Sequence, residues 1–345
     1  MLIIFANIRN IWFFRKLRAN LYICIAKIEK KMIYPWGDER PYNSYAAYFR
    51  RHFGERVQKV AINAGFTCPN RDGKVGFGGC TFCNNEAFTP SYCQAAKSIS
   101  QQIEEDIEFH RRRYRKASSY LAYFQSFSNT YAPLEVLRSR YSEALAHPDI
   151  AGLVIATRPD CVDSRVLDVV EEVANGRYVA IEYGVESTSD TTLRSINRGH
   201  DFAAAERAIA LTAERGFSVG AHFVLGLPGE SDRELIGQTA LINALPITTI
   251  KFHQLQVFRG TTMEREYDEH PERFRFWKLD EYLDLFVEIL RRLRPDIVVE
   301  RFASEAPPRY HYGRNWGLVR NETLWSMLEA RLRERGFYQG ELYGR

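Results

Sequence analysis

Six short apolar segments, most of them followed by a stretch of helical periodicity, constrain the fold of this chain more than any other feature. Residues 57–63, 120–125, 153–157, 179–183, 219–225 and 249–257 read as strands. Residues 98–116, 134–146, 162–174, 201–215 and 231–244 read as helices; Ile99, Ile103 and Ile107 mark one apolar face. Gly216 stands at the C′ position that ends the fourth of these. Strands alternating with helices imply a parallel sheet with helical crossovers. Six units favour an α/β barrel or partial barrel, TIM-like, over a doubly wound sheet. Further helices near 280–293 and 323–335 make residues 261–345 a C-terminal helical extension packed on a barrel spanning 32–260.

The segment after the first strand lies where such a barrel places its chemistry. It holds Cys68, Cys80 and Cys83, with Gly73, Gly76, Gly78 and Gly79 between the first two. Thiolates suit iron and zinc. A cubane [4Fe–4S] cluster normally takes four of them. Three leave one iron open to another ligand. The glycines let the backbone wrap closely around an object. The competing reading is a zinc knuckle with His52 as fourth ligand, although no second short-spaced pair follows downstream. A disulfide role fits worse, because six cysteines scattered through a long chain without a secretory signal are expected to stay reduced.

Hydrophobic content of 45% and charged content of 26% are ordinary for a globular enzyme. The net charge of +4 is uneven: residues 1–31 carry +6, which leaves −2 for the rest. Bulk charge therefore gives no argument for nucleic acid. In residues 1–31 the apolar runs are broken by Arg9, Arg15 and Arg18, so none reaches the roughly 18–20 residues that span a bilayer. The segment lacks a signal-peptide pattern. It reads as an extension upstream of Met32, with a basic amphipathic surface helix as the alternative. No other stretch is apolar enough to span a membrane, and a cytoplasmic location is expected.

Ligands in parallel α/β folds gather at the carboxyl ends of strands. Strand two runs into Ser126-Phe127-Ser128-Asn129-Thr130, and strand three into Arg158-Pro159-Asp160. Strand four runs into Gly184-Val185-Glu186-Ser187. Strand five carries His222 and ends at Gly226-Leu227-Pro228-Gly229-Glu230; strand six carries Lys251, His253 and Gln254. Each has a plainer use. Asn129 and Thr130 suit a turn, Glu186 a helix start near Ser187, Arg198 a solvated face and His222 a satisfied core position. Lys251 facing inward would need a partner or a polar cavity. Together these groups converge on the mouth into which the cysteine loop projects.

Taken together the motifs resemble the radical S-adenosylmethionine (SAM) enzymes. Within them the likeness is to the YhcC/YtqA-like group, itself similar to the radical domain of the elongator catalytic subunit. The resemblance rests on Cys68…Cys80-Thr81-Phe82-Cys83, Tyr123-Phe124-Gln125…Asn129-Thr130-Tyr131-Ala132 and Thr157-Arg158-Pro159-Asp160-Cys161. It also rests on Glu182…Glu186-Ser187, Ile196-Asn197-Arg198-Gly199-His200-Asp201, His222…Gly226-Leu227-Pro228-Gly229-Glu230, Lys251…His253-Gln254-Leu255 and Gln339-Gly340. The C-x11-C-x2-C spacing departs from the commoner C-x3-C-x2-C and is compatible with this subgroup.

The resemblance implies a partial (βα)6 barrel of the radical SAM type. Cys68, Cys80 and Cys83 would hold three irons of a [4Fe–4S] cluster, and the fourth iron would chelate the amino and carboxylate groups of SAM. Reductive cleavage would give a 5′-deoxyadenosyl radical that abstracts hydrogen from substrate, fed by an electron donor such as flavodoxin or ferredoxin. Phe82 would lie near the adenine. Ser128 and Asn129 occupy the turn that binds the SAM amino group, where many relatives have Gly-Gly-Glu. Glu186 and His222 match ribose-contacting positions. Arg198 matches an arginine that pairs with the SAM carboxylate, a geometry its guanidinium fork suits.

For the substrate, similarity to elongator suggests tRNA, and remodelling of a carboxymethylaminomethyl-type group on wobble uridine is the leading expectation. Acetyl transfer is not expected, because the residues after strand six are too few for an acetyltransferase half. Arg309, Tyr310, His311, Tyr312, Arg314, Trp316 and Arg320 interleave cations and aromatics and suit RNA contact, or a surface hairpin with packed rings. The alternatives are a radical SAM oxidoreductase acting on a small molecule or tetrapyrrole, and a non-catalytic zinc-knuckle RNA-binding protein.

Overall fold

The computed structural model describes residues 32–113, 119–317 and 319–344. The chain divides into two compact units, Met1–Arg40 and Pro41–Arg345. In the first, residues 32–40 form turns, one closed by Gly37 N–H donating to the Tyr34 carbonyl at 2.8 Å. The reading of residues 1–31 as an extension concerns positions outside the described ones.

The second unit is a curled, wholly parallel sheet of seven strands covered by helices. Its strands are β1 (Val57–Ile62), β2 (Ser119–Phe124), β3 (Ile150–Thr157), β4 (Tyr178–Glu186), β5 (Ser218–Leu225), β6 (Thr249–Gln254) and β8 (Val298–Arg301), adjacent in that order. The pair β7 (Val257–Phe258) and β9 (His311–Tyr312) forms a separate antiparallel ribbon. The helices are α1 (Tyr45–Phe53), α2 (Ile99–Arg113), α3 (Leu134–Leu145), α4 (Ser164–Ala174), α5 (Asp190–Ser195), α6 (Phe202–Glu214), α7 (Asp232–Ala244), α8 (Thr262–Glu269), α9 (Leu279–Arg292) and α10 (Asn321–Arg335).

The helix ends follow their chemistry. Asp201 accepts from Ala204 N–H to open α6, and Gly216, left-handed at φ 74°, follows its end. Ser231 and Glu234 form a reciprocal capping box on α7. The six expected strands all form. The sixth stops at Gln254, so its last expected residue, Val257, belongs to the ribbon instead. The sheet also gains a seventh strand, β8, inside the region read as helical. Four residues carry too little periodicity to be seen in sequence; pairing with β6 makes them a strand.

Helix α9 buries Tyr282, Leu283, Phe286, Val287 and Leu290 against the core. Gln339, fully buried, donates to the Arg294 and Ile297 carbonyls at 2.9 and 2.8 Å and accepts from Asn43 N–H at 2.9 Å. The Gln339-Gly340 motif is thus a clamp between the chain's end and the segment before α1. Among the described residues no helix is long and apolar enough to cross a membrane.

Gly152 shows how tightly β3 and β4 approach: a Cβ there would lie 2.2 Å from the Tyr178 carbonyl oxygen. Backbone cannot move aside cheaply, so Gly152→Ala is expected to destabilise by about 1–3 kcal/mol. Gly237, inside α7, provides the control, because a Cβ there would meet nothing within 4 Å. Gly237→Ala should stabilise by up to about 1 kcal/mol. Thermal melting of both variants checks the pair, and an unchanged Gly152→Ala midpoint would contradict the close approach.

Candidate active site

The cysteine loop follows β1 and is folded on itself. Arg71 N–H donates to the Cys68 carbonyl at 2.8 Å, Gly79 N–H to the Asn70 carbonyl at 2.8 Å, and Cys83 N–H to the Cys80 carbonyl at 3.0 Å. Gly79 has φ 85°, and a Cβ there would meet Arg71 Nε at 2.9 Å. Cys80 is buried; Cys68 and Cys83 are half-buried, and all three are free thiols. The Arg71 side chain is coupled electrostatically to Cys83, Cys68 and Cys80 together, so the three sulfurs share one neighbourhood. Donors point at the sulfurs: Arg198 Nη1 at 3.4 Å and Asn70 Nδ2 at 3.8 Å from Cys80, Asn85 Nδ2 at 3.6 Å from Cys83. Burial, then the Cys80 charge, pushes the Cys83 thiol up, against Arg71 and Arg198. A bound metal ion would deprotonate it outright.

The loop is fastened to the segment after α5. Thr81 N–H donates to the Ile196 carbonyl at 3.0 Å, Asn70 Nδ2 to the Asn197 carbonyl at 2.5 Å, and Asn197 Nδ2 to the Gly79 carbonyl at 2.8 Å. Arg198 is buried rather than solvated. Its Nη2 donates to the Gly184 carbonyl at 2.5 Å and lies 3.4 Å from Glu186, while Nε has no partner. Arg158 holds this turn, donating to the Arg198 carbonyl at 2.8 Å while forking onto Asp160 at 2.9 and 2.8 Å. Glu186 caps no helix: α5 opens later, on Ser189. Glu186 ends β4 at an irregularity in the β4–β5 ladder, with φ 73°. Gly184 makes room, since a Cβ there would lie 2.6 Å from Glu186 Oε1 and 2.7 Å from Arg198 Nη2.

Ser128 and Asn129 are both buried beside the loop, Ser128 N–H donating to the Thr67 carbonyl at 3.2 Å. Asn129 Nδ2 serves the turn, donating to the Phe124 and Ala156 carbonyls at 3.0 and 2.8 Å. Its Oδ1 and the Ser128 hydroxyl have no partner. Among the described residues, three of the four non-glycine positive-φ residues, Phe127, Glu186 and Asn197, lie in these strand-end loops. Phe82 is half-buried against the core. Cys161 lies close enough to Cys68 to feel its charge, and burial pushes its thiol up to about 12. Glu230 accepts from Ser187 Oγ at 2.5 Å and lines a separate cavity of about 440 Å³ with Ser189, Gln238 and Arg273.

Inside the sheet lies a charge network. Glu182 accepts from Lys59 and Lys251, both at 2.6 Å, and pairs with His222 Nε2 at 3.0 Å. Glu300 reaches Lys59 at 2.8 Å and Lys251 at 3.1 Å, and Lys251 also donates to Tyr123 Oη at 3.2 Å. Lys251 thus has the partners an inward lysine requires. Gly220 leaves space for Glu182, whose Cγ would lie 2.9 Å from a Cβ there. Burial opposes the Glu182 charge, but Lys251 and Lys59 hold it well below the usual carboxylate range. Of these residues, sequence reading gave no role to Lys59, Tyr123, Glu182 or Glu300. The signal present was a tyrosine or a charged residue on the inward alternating face of β1, β2, β4 and β8.

His52 lies on α1 among Tyr48, Phe53 and Tyr178 rings, so the zinc site built on it has no counterpart. Among the described residues no three His, Cys, Asp or Glu side chains converge tightly enough to hold a single metal ion. A cubane sets a different requirement, each thiolate holding its own iron.

Two family models match the chain: the Radical SAM superfamily over residues 63–237 and the Radical_SAM C-terminal domain over 247–334. The chain belongs to the radical SAM superfamily. It is 35% identical to the uncharacterised protein YtqA of Bacillus subtilis, over 89% of this chain and 94% of that one. It is 24% identical to the tRNA uridine(34) acetyltransferase of Dehalococcoides mccartyi over 45% of this chain and 34% of that one. Its fold is shared by an archaeal Elp3 of Methanocaldococcus infernus, with TM-score 0.64, 15% identity, and 82% of this chain and 64% of that one covered. As a radical SAM enzyme the protein uses SAM and a [4Fe–4S] cluster. The residues present fit both groups: three thiols with donors aimed at their sulfurs, and buried polar atoms of Arg198, Ser128 and Asn129 left without partners beside them.

The buried imidazoles set a pH dependence for this radical SAM enzyme. Burial, then Lys251, lowers the His222 pKa; burial, then His222, lowers that of His253. The folded chain therefore binds fewer protons than the unfolded one near the ordinary imidazole range. That stability is present above the unfolded pKa and lost as pH falls through it. The melting midpoint of the holoenzyme should fall between about pH 7.5 and 5.5, and less steeply in His253→Gln. A midpoint that rises on acidification would contradict the assignment.

Proposed function

We propose that this enzyme uses SAM radical chemistry to remodel the substituent on carbon 5 of a tRNA wobble uridine, with a carboxymethylaminomethyl-type group as substrate. The observation that carries the chemistry is the grouping of Cys68, Cys80 and Cys83 in one loop fastened to Arg198. These three thiolates would hold the cluster, leaving one iron for SAM. When bound, the cluster supplies one electron to the sulfonium of SAM, whose C–S bond breaks to give methionine and a 5′-deoxyadenosyl radical.

The chain's residues bind and orient. Arg198, with Nε unpartnered and buried, would pair with the SAM carboxylate. The acceptor atoms Ser128 Oγ and Asn129 Oδ1 suit the SAM ammonium. Glu186, turned toward the loop by its left-handed backbone, would accept from a ribose hydroxyl, and Phe82 would lie against the adenine. His222 has Nε2 engaged by Glu182, so its other ring nitrogen would serve the ribose. Buried surroundings keep water from the reacting atoms. An electron donor of the flavodoxin or ferredoxin class would complete the reaction.

The RNA substrate class is supported by the name of the Dehalococcoides relative, a tRNA uridine(34) acetyltransferase. The rim of the site supports it as well. The β7–β9 ribbon stands against the segment after Cys83: Phe258 meets Phe88 edge-on at 5.1 Å, and Asn84 Nδ2 donates to the Arg259 carbonyl at 3.3 Å. Arg259 lies over the Tyr312 ring at 5.4 Å and Arg309 over Tyr310 at 4.7 Å, with Arg314 and Arg320 exposed. Such cation–aromatic surfaces suit phosphates and bases. Trp316 is not among them; it packs on Tyr282 and donates to the Trp277 carbonyl.

Anaerobically reconstituted protein should hold about four irons and release 5′-deoxyadenosine from SAM and a reductant. Cys80→Ala should abolish that release. Sustained turnover by Cys80→Ala would overturn the ligand assignment. Nucleosides from tRNA of a deletion strain should accumulate the unremodelled wobble uridine. An unchanged nucleoside profile, with SAM cleavage intact, would overturn the tRNA substrate and point to a small molecule instead.

A further inference from the structure

Strand β8 ends in an irregularity that aims two consecutive side chains into the sheet's interior. The β6–β8 ladder pairs Ile250 with Val299 and then Lys251 with Arg301, so Glu300 is an extra residue in β8. Arg301 therefore shares the face of Lys251. Glu300 points there too, since its carboxylate touches Lys59 and Lys251. Arg301 is the last residue of β8, at the carboxyl end of the sheet where the cysteine loop lies. Its charge is felt by Tyr123, Lys251 and His253, all interior groups.

The charges inside balance without Arg301. Lys59 and Lys251 are matched by Glu182 and Glu300. His222 and His253 are held neutral by burial, and Tyr123 likewise, its phenol raised by burial and then by Glu182. Arg301 adds a half-buried guanidinium that, among the described residues, makes no hydrogen bond and no ion pair. Every other cation of this interior has a carboxylate within 3.1 Å. A half-buried guanidinium without an anion has donors left unused, and its fork of donors matches a carboxylate bidentately.

We propose that Arg301 is the anchor for a carboxylate on the substrate, received inside the sheet beside Lys251 and His253. This inference rests on the reading of the substrate as a carboxymethylaminomethyl uridine, and assigns the residue that recognises the group's acidic end. Arg301 is a specificity residue in this scheme: it holds the substrate and takes no part in breaking SAM.

Two probes separate the anchor from the RNA reading. The first is trifluoroacetate, followed by its ¹⁹F line width on anaerobic holoenzyme. Wild type should broaden the line, Arg301→Gln should not, and Arg301→Lys should restore part of the effect. Equal broadening by wild type and Arg301→Gln, each with full iron content, would overturn the anchor whatever the substrate. The second probe is a pair of anticodon stem-loop RNAs, one carrying 5-carboxymethylaminomethyluridine and the other 5-aminomethyluridine. Wild type should bind the first about tenfold more tightly, and Arg301→Gln should bind both alike. This comparison tests the anchor on the wild-type protein even if the variant fails to fold. Equal binding of both RNAs by wild type would overturn the carboxylate anchor. An equal loss for both RNAs in Arg301→Gln would also overturn it, assigning Arg301 to backbone phosphate. A trifluoroacetate effect without binding of either RNA would keep the anchor and overturn the tRNA substrate.

Discussion

The Arg198 guanidinium is the fastening on which the rest of the site depends. One side chain, buried among loops, touches Cys80 Sγ, the Gly184 carbonyl and Glu186. It thereby joins the cysteine loop to the end of β4. Arg158, itself clamped on Asp160, holds the Arg198 carbonyl and ties the end of β3 into the same assembly. A guanidinium in this setting stays charged, because burial acts against the charge but Cys80 and Glu186 outweigh it. The arrangement places a fixed positive charge next to the thiols and leaves Nε for another acceptor. Positive φ at Glu186 and Asn197 on either side shows that the backbone bends to achieve it.

Below that mouth the interior is polar, where a barrel of this kind ordinarily packs branched apolar side chains. Lys59, Glu182, Lys251 and Glu300 come from four different strands and contact one another directly. Such a network is a poor device for stability, because desolvating four charges offsets much of their attraction. It is a good device for a cavity that must orient a polar substrate, since its groups are already positioned and need no reorganisation. Arg301 extends this network toward the mouth and connects its charge to the question of what the enzyme accepts.

Much of this was legible in the sequence, for physical reasons. Short runs rich in β-branched and aliphatic residues, bounded by polar or glycine-containing stretches, mark strands, so all six expected strands appear. Helical periodicity, with Gly216 after the first of them, placed α6 and α7 within a residue or two. The cysteine loop stood out because no ordinary turn needs three thiols among four glycines. What escaped depended on contacts between distant parts of the chain. Local sequence suited Glu186 to a helix start and only the resemblance gave it a ribose role, because its left-handed φ and its pairing with Arg198 are properties of the folded chain. Lys59 is one of two adjacent polar residues in a six-residue strand, and nothing local tells whether it faces water or Glu182. Strand β8 has four residues, and the orientation of Arg301 depends on one irregular pairing. His52 offered a zinc ligand by proximity in sequence, whereas α1 carries it into an aromatic cluster.

The most direct measurement of the central claim, that three thiols hold a cluster with one corner open to SAM, is hyperfine spectroscopy of the reduced, oxygen-free holoenzyme. SAM labelled with ¹⁵N at its amino group and ¹⁷O at its carboxylate should show coupling of both nuclei to the cluster spin. A protein that carries zinc at Cys68, Cys80 and Cys83, or a cluster whose spectrum is blind to both labels, would contradict it.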